Sequence, residues 1–297
     1  MADFPDLIQA MEFPFSSPVL FANLQLMRAA SDRGVELVLN GHGPDILFAG
    51  GAGYIHARVA EMIRNMRLLS AWKALRTVHA AEGRGPLRSL RVAAGLSLPL
   101  AKRLRRPRRA EAQSLLQQAW FRERIPAADL ARNAEASLDL KELRLRELTQ
   151  SVLPRFVRYE RGTSALAQIR SASPFLADKL VDLALALPVE CLVAEDGLTK
   201  VALRQAMQGL LPGEVLASRR RVGFPVPAEQ WLLDAGAWAR EHLLRASESP
   251  FLDGVALRRQ TDDFFEGRSR NRWGAAMTLW KVVLLSGWIQ AFDLRFD

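Results

Sequence analysis

The chain has 297 residues and a mass of 33.1 kDa. This is enough for one large domain or two small ones, with an apolar core that needs no disulfide or metal cross-links for stability. Its single cysteine, Cys191, cannot pair within the chain, and no Cys-x-x-Cys motif or His/Cys cluster is present. These facts exclude a disulfide scaffold and a structural zinc site. No apolar run reaches the roughly 18 residues of a membrane span, and the first residues lack a secretory signal. We therefore expect a soluble, cytoplasmic protein with no membrane partner.

The net charge of +9 raises the question of nucleic-acid binding. The excess is local, because six cations fall between Lys102 and Arg109. Pro107 and the absence of interleaved aromatic residues favour a solvated loop over a base-stacking surface. A contact with phosphate or an acidic partner is the alternative for this run. Nucleic acid is not an expected partner.

Residues 11–54 are organised as helix, strand and glycine-rich loop. Apolar residues recur at helical spacing from Val19 to Ala30, and Gly34 is placed to end this helix. The apolar run Val35–Leu39 is typical of a buried strand in a parallel sheet. Such a strand needs neighbours for its backbone groups, and no second convincing strand follows. The sequence therefore predicts that partner strands come from another polypeptide or an upstream segment, or that the fold has decayed.

The rest of the chain is mainly helical, apart from an irregular basic connection at residues 82–111. We predict a fold that is mainly α with a remnant of an α/β parallel sheet. One or two amphipathic helices are expected over residues 54–81, and the part at 138–297 is helical. The further helices are expected at Ala112–Arg124, Leu138–Tyr159, Lys179–Leu187, Lys200–Leu210 and Trp273–Phe292.

Three segments carry residues suited to chemistry. Glycines in the loop 40–45, after a parallel strand, let backbone amides approach a phosphate, and an aspartate there can bind Mg²⁺; an ordinary tight turn is the alternative. Glu160 lies among arginines, which fits a site or a surface ion pair. The third segment is Gly197–Arg204 followed by Arg219–Phe224. Its lysine and arginines, close to glycines, could bind a phosphate group or could form a solvated helix face.

In this order the segments resemble the synthetase domain of glutamine-dependent asparagine synthetases, whose relatives include β-lactam synthetases and lasso-peptide cyclases. The loop Leu39–Gly51 is similar to the family's Gly-Glu-Gly-x-Asp-Glu-Leu-Phe-Gly-Gly loop. The matching segments run over about residues 11–297, with 55–145 only loosely similar. They are Glu12–Pro18, Leu153–Pro154, Arg158–Glu160, Ser173–Leu176, Gly197–Lys200, Leu203–Arg204, Leu210–Pro212, Arg221–Phe224, Glu229–Leu232 and Leu279–Val283.

The resemblance implies an adenine nucleotide alpha-hydrolase (ATP-pyrophosphatase) fold and a two-step synthesis that uses ATP and Mg²⁺. A carboxylate, aspartate in the family, is adenylated with release of pyrophosphate, and ammonia or another amine then displaces AMP. By this resemblance the site residues divide into four roles. Asp45 would bind the metal, Gly41 and Gly43 would bind phosphate oxygens through backbone amides, Lys200 and Arg221 would form the cationic clamp, and His42 with Glu160 would handle protons.

The sequence also departs from the family. His42 stands where asparagine synthetases carry glutamate and the lactam-forming relatives tyrosine, and Arg221 replaces a lysine. Ile46, Arg161 and Ala177 replace acidic residues, and Arg170–Ala172 replaces Glu-Ala-Arg. The Ser-Gly-Gly-x-Asp-Ser loop and the glutaminase domain have no counterpart in this sequence, so we expect no glutaminase activity from it and a fold incomplete at its N-terminal side.

These observations support an amide ligase domain of the AMP-forming type that is truncated or needs a partner chain. Such a partner would supply the sheet strands and the glutaminase domain. Two alternatives stay open at this stage. One is a non-catalytic remnant or scaffold, and the other is an amide-forming cyclase of a peptide or antibiotic precursor.

Overall fold

A computed structural model describes residues 2–82, 115–126, 139–219 and 223–296. The expected basic connection at 82–111 therefore lies almost wholly outside the described residues. The described helices are α1 Phe4–Met11, α2 Val19–Ser31, α3 Pro44–Leu47, α4 Ala52–Arg64, α5 Leu68–Glu82, α6 Gln118–Arg124, α7 Leu140–Thr149, α8 Val152–Leu166, α9 Asp178–Ala186, α10 Val201–Ala206, α11 Gly213–Ala217, α12 Ala228–Ala246, α13 Gly254–Phe265 and α14 Arg272–Ala291. The strands are β1 Leu37–Leu39 and β2 Arg170–Ala172, and two short 3₁₀ helices cover Pro174–Leu176 and Val189–Cys191.

The two strands form a parallel sheet, in which Leu37 pairs with Arg170 and Leu39 with Ala172. The sequence-based expectation that the chain holds no partner for β1 was wrong. Arg170–Ala172 gives no strand signal because it is three residues long and carries one apolar side chain. The sheet brings the residues that follow each strand to the same edge.

The predicted burial of the first strand was also wrong. Leu37 is 45% exposed, Leu39 is 66% exposed and Val35 is 41% exposed. These alternate residues share one face of the extended segment. The described residues provide no layer over that face, whereas Val38 packs against the larger helical core.

The described residues form two apolar cores. The larger core joins α1, α2, α8, α12, α13 and α14, with Trp280 fully buried and its indole N–H donating to the carbonyl of Ala228 at 2.7 Å. The smaller core joins α3, α4, α5, α7 and α9. Arg144 is buried between three of these elements, where it donates to the carbonyls of Leu47 and Ala184, both at 2.6 Å. This arginine fixes α3, and with it the loop that follows β1.

The region predicted as a single helix at Leu138–Tyr159 is two helices. The first, α7, ends at Thr149, and the N–H of Ser151 turns back to the carbonyl of Arg146 at 3.1 Å. Pro154 then lies in the first turn of α8, where a missing N–H breaks no helical bond. Because α8 continues to Leu166, it carries Phe156 and Glu160 one turn apart on the same face.

Candidate active site

The loop after β1 is fixed to the end of β2 by side-chain hydrogen bonds. Asn40 directly follows β1, and its Oδ1 accepts the hydroxyl of Ser173, which directly follows β2, at 2.8 Å. The same oxygen accepts the backbone N–H of His42 at 3.0 Å. The position of the His42 backbone is thus set by both strands.

His42 and Glu160 lie together. His42 Nε2 is 3.4 Å from Glu160 Oε2, although the two residues are 118 positions apart in sequence. Ser171 in β2 donates to Glu160 Oε1 at 2.6 Å, and its hydroxyl accepts from Asn40 Nδ2 at 2.8 Å. The two oxygens of Glu160 are therefore directed to different partners.

The surroundings of Glu160 favour its ionised form. Hydrogen bonding to His42 lowers the pKa of this carboxyl group, and burial opposes that effect. Hydrogen bonds from Ser171 and Asn23 lower the pKa further, so the net pKa lies below its ordinary value. Glu160 is only 8% exposed. The carboxylate of Glu160 is therefore held as an ionised partner within 3.4 Å of the imidazole of His42.

Asp45 and Lys200 form a second charged pair. Lys200 Nζ is 2.7 Å from Asp45 Oδ1, and the lysine backbone has a left-handed φ of 59° while its N–H donates to the carbonyl of Phe48 at 3.1 Å. Gly50 makes this approach possible. A Cβ at Gly50 would stand 2.2 Å from Asp45 Oδ1 and 2.3 Å from Lys200 Cε. The side chain of Asp45 is nevertheless 77% exposed and open to a ligand.

This pair lies in a cleft of about 590 Å³, which we call the charged cleft. Beside Asp45 and Lys200, the lining includes Gly50, Gly51, Tyr54, Glu147, Phe156, Arg204 and Arg219. The Tyr54 hydroxyl donates to Glu147, and burial followed by this hydrogen bond raises the pKa of Tyr54. Tyr54 is therefore neutral over the physiological pH range.

Two arginines of the charged cleft shape its wall. Arg204 donates to the carbonyls of Thr199 and Ser218, both at 2.8 Å, so it anchors the segment that leads to residue 219. Burial lowers the pKa of Arg204. Arg219 forms an ion pair with Asp196. Burial raises the pKa of Asp196, but hydrogen bonds from Arg219 and from the backbone lower it by more. The pKa of Asp196 therefore lies below its ordinary value.

The structure therefore brings together His42 with Glu160, and Asp45 with Lys200, among the residues selected from the sequence. Gly41 and Gly43 flank His42 but are not among the residues that line the charged cleft. Gly43 has a φ of 107°, and a Cβ there would stand 2.6 Å from Leu176 Cδ2, so this glycine serves the loop's own packing. Arg221 lies outside the described residues.

Sequence reasoning missed the polar residues that hold Glu160 and the loop. Ser171 was noted only as a departure from a family motif, yet it donates directly to Glu160. The signal that could have found it is a small hydroxyl residue eleven positions after Glu160, ahead of Ser173. Asn23, on α2, has no such signal, because its side chain reaches α8 from far along the chain: it donates to the hydroxyl of Thr163, 140 positions away.

A comparison with known protein families identifies the family of this chain. A family model described as asparagine synthase matches residues 1–290. The chain belongs to the asparagine synthase family. This membership confirms the resemblance drawn from the motifs, and the mainly helical structure with a small parallel sheet is consistent with a synthetase domain of that family.

One relative in the asparagine synthase family is asparagine synthetase [glutamine-hydrolyzing] 1 of Bacillus subtilis (strain 168). It is 28% identical over 116 residues, which are 39% of this chain and 17% of the relative. The matched stretch therefore spans about a sixth of that protein. No solved structure matches the chain. Among the described residues, no helix combines the length and apolar character that a bilayer crossing requires.

Proposed function

We propose that this chain carries the ligase site of an ATP-dependent amide synthesis. A carboxylate is adenylated by Mg·ATP, and an amine then attacks the acyl-adenylate. The observation that carries this proposal is the placement of His42–Glu160 and Asp45–Lys200 at the loop after β1, with Phe156 beside both pairs. Membership of the asparagine synthase family supports the same reaction class.

In the first step a substrate carboxylate oxygen attacks the α-phosphorus of ATP. A P–O bond forms, and the bond to the pyrophosphate oxygen breaks, so negative charge accumulates on the leaving pyrophosphate. Lys200, in the charged cleft, is placed to stabilise that charge, while Arg221 shares this role by family resemblance. The backbone amides of Gly41 and Gly43 belong to the same proposal, as donors to phosphate oxygens.

The described residues fit Mg²⁺ that arrives with the nucleotide. They contain no group of three or more His, Cys, Asp or Glu side chains that could bind a metal by themselves. Mg²⁺ at nucleotide sites uses one or two carboxylates and completes its shell with phosphate oxygens and water. Asp45, exposed in the charged cleft, supplies such a carboxylate. The ion would supply Lewis-acid stabilisation of the phosphate oxygens.

In the second step the amine nitrogen attacks the acyl carbonyl carbon. The C–N bond forms, the C–O bond to the adenylate breaks, AMP leaves with the electron pair, and the nitrogen loses a proton. We assign that proton to the imidazole of His42, with Glu160 as its ionised partner. Nε2 contacts Glu160, and Nδ1 has no hydrogen-bond partner among the described residues, so Nδ1 is the acceptor in this scheme.

The same proposal includes the ATP-pyrophosphatase fold and a partner chain. In a parallel ladder the backbone groups of Leu37 and Leu39 point away from β2, and the described residues place no strand at that edge. We propose that another polypeptide pairs with this edge, adding strands and a glutaminase domain, and that aspartate and ammonia are the family-like substrates.

The proposal that a partner chain pairs with the edge of β1 is tested by size-exclusion chromatography of extracts from the cells that make this protein. The wild-type chain is expected to elute in a larger complex and Leu39→Lys as the free chain. Leu244→Lys, at a similarly exposed leucine of α12, should elute as wild type does. A wild-type chain that elutes alone overturns the partner proposal.

The ligase reaction is tested by ATP–pyrophosphate isotope exchange with Mg²⁺, using the protein as isolated from those cells. We expect carboxylate-dependent exchange, measured with aspartate and a panel of other carboxylates. Lys200→Met should abolish it, whereas Lys141→Met, on the exposed surface of α7, should not. Absence of exchange with every carboxylate, together with no rise in Tm at millimolar Mg·ATP, would establish the non-catalytic alternative.

A further inference from the structure

A second cleft, of about 560 Å³, opens over His42 and Glu160. We call it the apolar cleft. Its lining includes Leu26, His42, Arg155, Phe156, Glu160 and Phe224. Phe156 also lines the charged cleft, so the two cavities are neighbours. Because α8 carries Phe156 and Glu160 one turn apart, the wall that the two clefts share and the carboxylate of the proton-handling pair lie on one face of this helix.

The walls of the apolar cleft are aromatic and aliphatic around His42. The imidazole of His42 stacks on Phe156 with ring centroids 6.0 Å apart, and Phe156 meets Tyr159 edge to face at 6.2 Å. Leu26 and Phe224 are largely exposed, at 58% and 60%. Cavities of this size hold ligands far larger than ammonia, and apolar walls favour an apolar body.

The charges of the apolar cleft suit a zwitterion. Arg155 is the described cation that lines it, and no carboxylate of the described residues pairs with that guanidinium. Glu160, buried and bonded to His42, is the anion at the other polar position. A ligand with a carboxylate for Arg155 and an ammonium for Glu160 would complement both.

We propose that the apolar cleft binds an apolar α-amino acid, which serves as the amine nucleophile in place of ammonia. This inference rests on the proposed ligase function. The carboxylate of the amino acid would pair with Arg155, and its side chain would contact Leu26 and Phe156. After the ammonium has lost one proton to solvent, the nitrogen attacks the acyl carbonyl and gives its second proton to His42, so the product is an N-acyl amino acid and AMP leaves.

Binding is tested first without ATP, by isothermal titration of the chain with L-phenylalanine. We expect saturable binding, which L-aspartate and ammonium chloride do not compete away. Arg155→Gln should raise the Kd about tenfold through loss of a charge-assisted hydrogen bond, and Leu26→Ser should raise it severalfold. The matched controls are Arg64→Gln, an exposed arginine of α4, and Leu244→Ser, an exposed leucine of α12. Both should bind as wild type does.

The outcomes separate this inference from the proposed function. No binding of L-phenylalanine, or equal weakening by the control variants, overturns the amino-acid site even if ATP–pyrophosphate exchange is active. Binding of L-phenylalanine without ATP–pyrophosphate exchange supports the amino-acid site and refutes the proposed ligase function. When both are observed, L-phenylalanine should accelerate AMP release from the adenylated carboxylate and appear in the amide product. AMP release that responds only to ammonia overturns the role as nucleophile.

Discussion

Ser171 donates its hydroxyl to Glu160 at 2.6 Å while the same oxygen accepts from Asn40. One small side chain of a three-residue strand thus connects the loop after β1 with a buried carboxylate on α8. The neighbouring Ser173 makes a similar bond to Asn40 but does not touch Glu160. The two serines therefore allow the support of the carboxylate to be separated from the support of the loop.

Ser171→Ala should cost about 2 kcal/mol of unfolding free energy, because a hydrogen bond to a charged, buried acceptor is lost. It should also raise the pKa of Glu160 toward its ordinary value. Ser173→Ala should cost about 1 kcal/mol, as a neutral bond does. Urea unfolding measures both. Equal losses of unfolding free energy in the two variants would contradict the expectation that the hydrogen bond to the charged Glu160 is the stronger of the two.

The ionisation of Glu160 should shape stability in acid. Its folded-state pKa lies below the ordinary value of 4.5, so the ionised group contributes stability that is fully present above that value. The contribution is lost as pH falls through the lower folded pKa. Compared with Glu160→Gln, the wild-type free energy of unfolding should therefore fall more steeply below pH 4.5. If the free energies of unfolding of the two proteins changed in parallel between pH 3 and 7, the pKa of Glu160 would not be lowered in the folded state.

Alanine substitutions of Gly50 and Gly53 should change the stability of the protein in opposite directions. Gly50→Ala places a methyl group 2.2 Å from Asp45 Oδ1, so it should separate Asp45 from Lys200 and destabilise by about 1–3 kcal/mol. Gly53→Ala, inside α4, meets only Leu143 Cδ2 at 3.8 Å and should stabilise by about 0.5 kcal/mol through helix propensity. Thermal unfolding distinguishes them. A Gly50→Ala protein as stable as wild type would show that the charged pair is not confined by this glycine.

Arg144→Met should be the most damaging change outside the site. The carbonyls of Leu47 and Ala184 would lose their buried donor, at a cost of about 3 kcal/mol. Lys141→Met, on the exposed side of the same helix, should change the free energy of unfolding by less than about 0.5 kcal/mol. Denaturant titration provides the comparison. A small effect of Arg144→Met would mean that other contacts hold α3 in place.

Motif order predicted the family, and the resemblance selected His42, Glu160, Asp45 and Lys200. The structure brings these four residues together as two pairs, His42 with Glu160 and Asp45 with Lys200, and their roles stay predictions. Sequence could not predict β2, whose three residues pair only because β1 lies beside them. Nor could it predict Arg144 as a buried residue, since a charged side chain in a helix rich in charged residues is ordinarily solvated. The exposure of Leu37 and Leu39 was missed for the opposite reason: their apolar character indicates burial, while the covering layer is absent among the described residues.

Among the described residues, nothing covers the exposed apolar face of β1 or pairs with its outer edge, and this bears on how much of the protein accumulates in a cell. An apolar strand with free backbone groups is a template for association with further copies of itself. Chains made in excess of whatever covers that edge should therefore aggregate or be degraded by quality control. Under the proposal that a partner chain pairs with that edge, the abundance of this protein would follow the supply of that partner rather than its own rate of synthesis.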